Sequence, residues 1–165
     1  MPRRRLFLAL LPAAALAACG FELRKAPNFA FTSLFVGAPN SPVGNELKRY
    51  LSSIGSVRVV NDAAQINTAQ VILDVLQEQR EKIVSGINSA GQVTEFQLRL
   101  RFRFKLRTPQ AKELIPDTEI LLQRDISFNE SAVLSKEAEE NLLYRDMQGD
   151  LVQQLMRRLA AVKEL

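Results

Sequence analysis

The stretch Phe96-Gln97-Leu98-Arg99-Leu100-Arg101-Phe102-Arg103-Phe104-Lys105-Leu106-Arg107 alternates apolar and polar residues with almost no break. A period of two is the repeat of a β-strand, whose successive side chains point to opposite faces of a sheet. One face of this strand is therefore buried and the other polar. Burying the apolar side chains is worth roughly 1.5–3 kcal/mol each, an upper figure because unfolded chains already bury some surface. A slip of one residue would turn all of them to the wrong face, so the register is firmly set. Such a half-buried strand needs a covering layer.

That layer is legible on both sides of the strand. Downstream, Leu143, Met147, Leu151, Leu155 and Leu159 recur every four residues, with Leu142 and Val162 alongside, the stripe of a long amphipathic helix. Ser135 offers its N-cap, although Ala138 stands where a capping box would need Glu or Gln. Glu137, Glu139 and Glu140 come early and Arg157, Arg158 and Lys163 late, in the order that suits the helix dipole. Upstream, Ser41 as N-cap, Pro42 at the first helical position and Gly55 as a stop bracket a second helix, with Val43, Leu47, Leu51 and Ile54 at helical spacing.

The remaining segments complete a sheet. Thr32 to Val36 and Val57 to Val60 read as short strands on either side of that helix, which predicts a right-handed crossover joining two parallel strands. Asn61 to Ala69 reads as a polar loop and Val71 to Val84 as a long strand, less regular toward its polar middle. Asn88-Ser89-Ala90-Gly91 is a turn. Thr108 to Asp117, with Pro109 and Pro116, reads as a loop, and Glu119 to Phe128 as a further strand. The expected fold is α/β (α+β): a two-layer sandwich, one mixed β-sheet of four to five strands with two helices packed on one face, forming a single domain over residues 32–165.

Arg99, Arg101, Arg103, Lys105 and Arg107 share the polar face of the alternating strand. Two readings stay open. The face is either solvated and partly neutralised by Asp74, Glu78, Glu119 or Asp125 on neighbouring strands, or it is turned toward an acidic or polar partner.

The N-terminus carries a different signal. Arg3, Arg4 and Arg5 precede an apolar run from Leu6 to Leu16, too short for a spanning helix of about 20 residues. A charged start, a short apolar run and small residues at its end mark an export signal over residues 1–18. Leu16-Ala17-Ala18-Cys19 matches the bacterial lipobox, which makes Cys19 the expected site of acylation and of cleavage just before it. Arg4-Arg5-Leu6-Phe7-Leu8 also resembles a twin-arginine export core, and an ordinary Sec signal remains the alternative. No aspartate follows Cys19, which resembles sorting to the outer membrane, and two or more acyl chains would make the anchor stable on the periplasmic face. Residues 19–31 read as a lipidated tether.

Composition narrows the chemistry. Removing the three arginines of the signal from 22 basic residues leaves 19 against 18 acidic ones, a net charge of +1, so the basic precursor is no argument for nucleic acid. The chain has no histidine and only one cysteine, which removes the usual general base, the usual triad, thiol catalysis and zinc sites. The seven glycines are scattered, so no phosphate-binding loop appears. A carboxylate pair remains possible among the 18 acids, but no spacing singles one out, so no catalytic residue, metal site or cofactor is expected.

Three motifs then resemble one family. Cys19-Gly20-Phe21-Glu22-Leu23-Arg24 resembles the start of mature LPS-assembly lipoproteins (LptE). Gly91-Gln92-Val93-Thr94-Glu95-Phe96 is similar to the turn entering their long strand, and Leu134-Ser135-Lys136-Glu137 to the entry of their last helix. The resemblance implies a non-enzymatic lipoprotein that plugs a large outer-membrane LPS-assembly β-barrel (LptD-like) and binds lipopolysaccharide for delivery to the outer leaflet. An accessory of another envelope lipid-trafficking system and a carboxylate-dependent envelope hydrolase are the alternatives. Strand direction puts the Asn88–Gly91 turn and the segment from Asn129 to Lys136 at one tip, so Lys82 and Lys136 become candidates for binding lipid A phosphate. The resemblance supports Lys136 in that role.

Overall fold

The computed structural model describes residues 27–38 and 40–165, so the export signal, Cys19 and most of the tether lie outside the described residues. The elements are β1 (Ser33–Gly37), α1 (Pro42–Ile54), β2 (Arg58–Val60), a 3-10 helix (Ala63–Thr68), β3 (Val71–Ile87), β4 (Val93–Arg107), β5 (Glu113–Ser127), a short 3-10 turn (Glu130–Ala132) and α2 (Val133–Ala160). The five strands form one mixed sheet in the order β2-β1-β3-β4-β5. β1 is parallel to both β2 and β3, whereas β3, β4 and β5 run antiparallel as a meander.

β4 behaves as its alternation requires. Leu98, Leu100, Phe102, Phe104 and Leu106 are buried with Leu34, Val36, Val71 and Leu73 of the neighbouring strands, under Val43, Leu47 and Leu51 of α1 and Met147, Leu151, Leu155 and Leu159 of α2. The ends of α1 are also as expected. The Ser41 Oγ accepts from the Gly44 amide at 2.7 Å, and Gly55 closes the helix at φ 73 with its N–H on the Leu51 carbonyl. Its left-handed backbone is the reason a glycine stops the helix there.

Four expectations need correction. The stretch read as a polar loop, Asn61 to Ala69, contains the 3-10 helix, N-capped by Asp62. Its Ile66 packs on Phe35, Val60, Ala69 and Ile72, a small apolar cluster separate from the main core. The expected loop from Thr108 to Asp117 ends early, because β5 already begins at Glu113 and carries Pro116 inside it. Proline is tolerated there because β5 is an edge strand, and the register with β4 shifts at the same point, between Phe104 and Leu106.

The helix after β5 starts at Val133, with Ala132 as an N-cap that makes no side-chain bond. Ser135 lies inside the first turn and donates its hydroxyl to the Ala132 carbonyl. The first turn therefore holds no acid; Glu137, Glu139 and Glu140 come after it, and Lys163 lies past the helix end. Leu142 points outward at 50% exposed, while Tyr144, Val152 and Met156 take buried positions. A strict four-residue stride drifts around a helix of 3.6 residues per turn, so the real stripe is wider than the leucines alone.

The last difference has functional weight. β3 contains a bulge: Val75 pairs with Phe104 and Gln77 with Arg103, which leaves Leu76 as an extra residue. Beyond it the alternation is inverted. Glu78, Arg80 and Lys82 stand opposite Phe102, Leu100 and Leu98, on the side covered by the helices.

Candidate functional site

The face of the sheet away from the helices presents the polar side of β4. Its five cations do not share one environment. Arg107 donates to Asp74 at 2.7 Å, and Lys105 lies 4.0 Å from the same carboxylate. Arg103 pairs with Asp117, which holds its guanidinium above the ordinary arginine value, first through the hydrogen bond and then through the charge. Arg101 reaches Glu119 at 2.7 Å and Glu81 at 3.9 Å. Arg99 donates to the Gln97 amide oxygen at 2.7 Å, and no described carboxylate comes within salt-bridge distance of it.

Of the acids expected to neutralise this row, Asp74 and Glu119 do so, and Asp125 meets Gln97 instead, at 3.3 Å. Glu78 does not belong to the row. The Leu76 bulge carries it under the helices, where it accepts from the Ser41 hydroxyl and from the Val43 amide and so caps α1. Asp117, which sequence reasoning assigned to a loop, and Glu81 take part instead. Their contribution was hidden because Asp117 lies in the irregular pairing of β5 and the face of Glu81 is set by the bulge at Leu76, and no local pattern announces either.

The tip is built by two connections. In the β3–β4 turn the Asn88 side chain accepts from the Ala90 and Gln92 amides, and Gly91 adopts φ 78. The Phe128 amide donates to the Thr94 carbonyl at 2.8 Å, which ties the end of β5 to the start of β4. Between them lies a recess of about 260 Å³ lined by Asn88, Gln92, Val93, Thr94, Phe128, Asn129 and Glu130.

Both candidate lysines lie toward this tip, beside the recess and outside its lining. The Lys82 ammonium pairs with Glu140 at 2.7 Å and sits 4.4 Å above the Phe96 ring and 6.0 Å from that of Phe128. Lys136 donates to the Ser127 hydroxyl at 3.0 Å and to Glu139 at 2.8 Å. Each lysine is thus held by a carboxylate of α2. The i,i+3 spacing of Lys136 and Glu139 was a visible signal for one of these pairs; the aromatic bed of Lys82 was not, because it depends on the bulge.

Next to Lys82, Arg80 lies 5.0 Å from the centre of the Tyr144 ring and donates to Gln148. Burial pushes the Tyr144 phenol above its ordinary value, and its hydroxyl donates to the Glu81 carbonyl. Among the described residues no group of three acidic, histidine or cysteine side chains gathers that could hold a metal ion, and no helix is long and apolar enough to cross a membrane.

A family model described as LptE, lipopolysaccharide-assembly, matches residues 31–159. The chain is 27% identical to the LPS-assembly lipoprotein LptE of Pectobacterium atrosepticum, over 97% of this chain and 88% of the relative. Among solved structures, lipoprotein B of Nitrosomonas europaea superimposes with a TM-score of 0.74 at 33% identity, covering 86% of this chain and 91% of that one. A minor lipoprotein of Acinetobacter baumannii gives 0.63 at 25% identity, covering 81% and 94%. Rare lipoprotein B of Shewanella oneidensis gives 0.64 at 19% identity, covering 79% and 95%, a likeness of fold.

Proposed function

This chain belongs to the LptE lipopolysaccharide-assembly family, and on that ground we propose that the mature protein is a non-enzymatic outer-membrane lipoprotein that plugs the LPS-assembly β-barrel. In this reading lipid on Cys19 anchors it at the periplasmic face, and the open sheet face, with Arg99, Arg101, Arg103, Lys105 and Arg107, meets the barrel. The observation that carries it is the division of the sheet: one face is packed under two helices, and the other is a polar ladder in which most charges already have partners. Barrel interiors are polar. A surface of pre-formed ion pairs can be covered by such a wall without stranding bare charges.

At the tip, the proposed role of Lys82 and Lys136 is to bind the phosphates of lipopolysaccharide. Glu139 and Glu140 then act as place-holders that an incoming phosphate displaces. A mild-detergent pull-down of the mature protein, with every partner identified, tests the first half; a pull-down that recovers no outer-membrane barrel contradicts it. Lys136→Asp should lower lipopolysaccharide binding while sparing the barrel, and Lys82→Asp should add to the loss. Unchanged lipid binding in the double variant, at an unchanged melting temperature, removes the tip from the function.

A further inference from the structure

Arg99 stands apart in the cation row. Arg101, Arg103, Lys105 and Arg107 each have a carboxylate of this chain within 4.0 Å. Arg99 is half-buried and, among the described residues, has only the neutral side chain of Gln97, at 2.7 Å. Its cross-strand neighbours are Glu81 on β3 and Gln123 on β5; Glu81 leans to Arg101 instead, and Tyr144 holds its carbonyl from the opposite face. Diagonal to Arg99 on the same face are Ile83, opposite Gln97, and Leu121, opposite Arg101. They are 38% and 37% exposed and are the large apolar side chains flanking it.

The physical consequence follows from desolvation. Covering a paired guanidinium costs less than covering a bare one, because its charge keeps an internal partner although the pair still loses water. Covering one that lacks an anion leaves a bare charge out of water, which is strongly unfavourable unless the incoming surface supplies that anion. Arginine is also one of the residues on which interface binding energy concentrates, and apolar neighbours help to exclude water from it. We infer that Arg99, flanked by Ile83 and Leu121, is the anchor of the open sheet face, and that the barrel places an aspartate or glutamate side chain on its guanidinium. This rests on the reading that the open face meets the barrel.

The test measures affinity of the lipidated full-length protein for the purified LPS-assembly barrel in detergent, with four proteins compared. Arg99→Met should weaken binding by roughly 30-fold or more, as for a truncated interfacial charge pair. Arg103→Met combined with Asp117→Asn, which removes both charges of an ion pair internal to the chain, should change it by about fivefold at most. Arg101→Glu combined with Arg103→Glu reports on the whole face. Melting temperatures confirm that each variant is folded. If the charge-reversed variant binds like the parent, the face itself does not meet the barrel and the underlying reading fails. If that variant is impaired while Arg99→Met is no worse than the Arg103→Met, Asp117→Asn control, the face binds but Arg99 is not its anchor. If Arg99→Met loses affinity for lipopolysaccharide and keeps the barrel, the anion is a lipid phosphate and the inference is overturned.

Discussion

Deleting Leu76 should leave the fold and its stability nearly intact, although the residue lies within the longest strand of the protein. Leu76 is the extra residue of the β3 bulge, since its neighbours Val75 and Gln77 pair with the adjacent residues Phe104 and Arg103. Without it, Val75 still faces the helices, Gln77 the open side and Glu78 the helices again. At 44% exposure, removing Leu76 forfeits about half of the roughly 1.5–3 kcal/mol that a fully buried leucine contributes. A straightened ladder regains hydrogen bonding worth about 0.5–1.5 kcal/mol per bond, so the net change should stay within about 1 kcal/mol. Deleting Gln79 is the contrasting case. It turns Arg80 and Lys82 away from the helices, or else inverts the strand before them. In the first case the Arg80–Gln148, Lys82–Glu140 and Lys82–Phe96 contacts are lost and Glu81 is forced under α2; in the second Glu78 turns away from the Ser41 hydroxyl and the Val43 amide. At least about 3 kcal/mol should disappear, from unmade bonds and polar groups buried without partners. Urea unfolding of the two soluble domains, followed by circular dichroism, measures both. Equal losses in the two deletions would refute the assignment of the bulge and of every side chain beyond it.

Three shorter expectations accompany it. Cys19→Ala should yield an uncleaved or lipid-free protein, and mass spectrometry of the mature N-terminus showing an unmodified Cys19 in the parent would contradict the lipobox. Ala111 adopts φ 66 in the β4–β5 turn, a conformation costing a non-glycine residue about 1–2 kcal/mol; Ala111→Gly should therefore raise stability by roughly 0.5–1 kcal/mol after glycine's own entropic cost, read as a higher melting temperature. Glu140→Gln frees Lys82 from its exposed ion pair, which should change stability by at most about 1 kcal/mol and raise lipopolysaccharide affinity; unchanged affinity would argue against displacement of Glu140 by phosphate.

The parts of the fold that were legible in the sequence are those governed by local rules. The alternation of β4, the Ser41-Pro42 start of α1 and its Gly55 stop each depend on a few adjacent residues, and the structure repeats them. What stayed hidden depends on pairing partners. Nothing near Leu76 marks it as the bulged residue, so Glu78 was expected beside the cation row and the faces of Arg80 and Lys82 could not be assigned. Pro116 argued for a loop because its strand could not be known to lie at the sheet edge. Ser135 looked like an N-cap, yet a 3-10 turn capped by Asn129 starts the helical path earlier. The same division applies to the candidate site: the row from Arg99 to Arg107 could be read off, and the inequality among its members could not.

The position of β1 between β2 and β3 has a kinetic consequence. β3, β4 and β5 are joined by short turns and pair with their chain neighbours, so their contacts close small loops at little entropic cost. β1 precedes them in the chain but pairs with β3 at Leu34 and Val71, across the whole α1–β2 segment. The meander is therefore the natural nucleus, and β1 docks late. Until it does, Val71 to Asp74 form an apolar strand edge open to other chains. The stretch adjoining the tether is thus the last to be secured, and slow docking there is the point at which this protein is most exposed to aggregation.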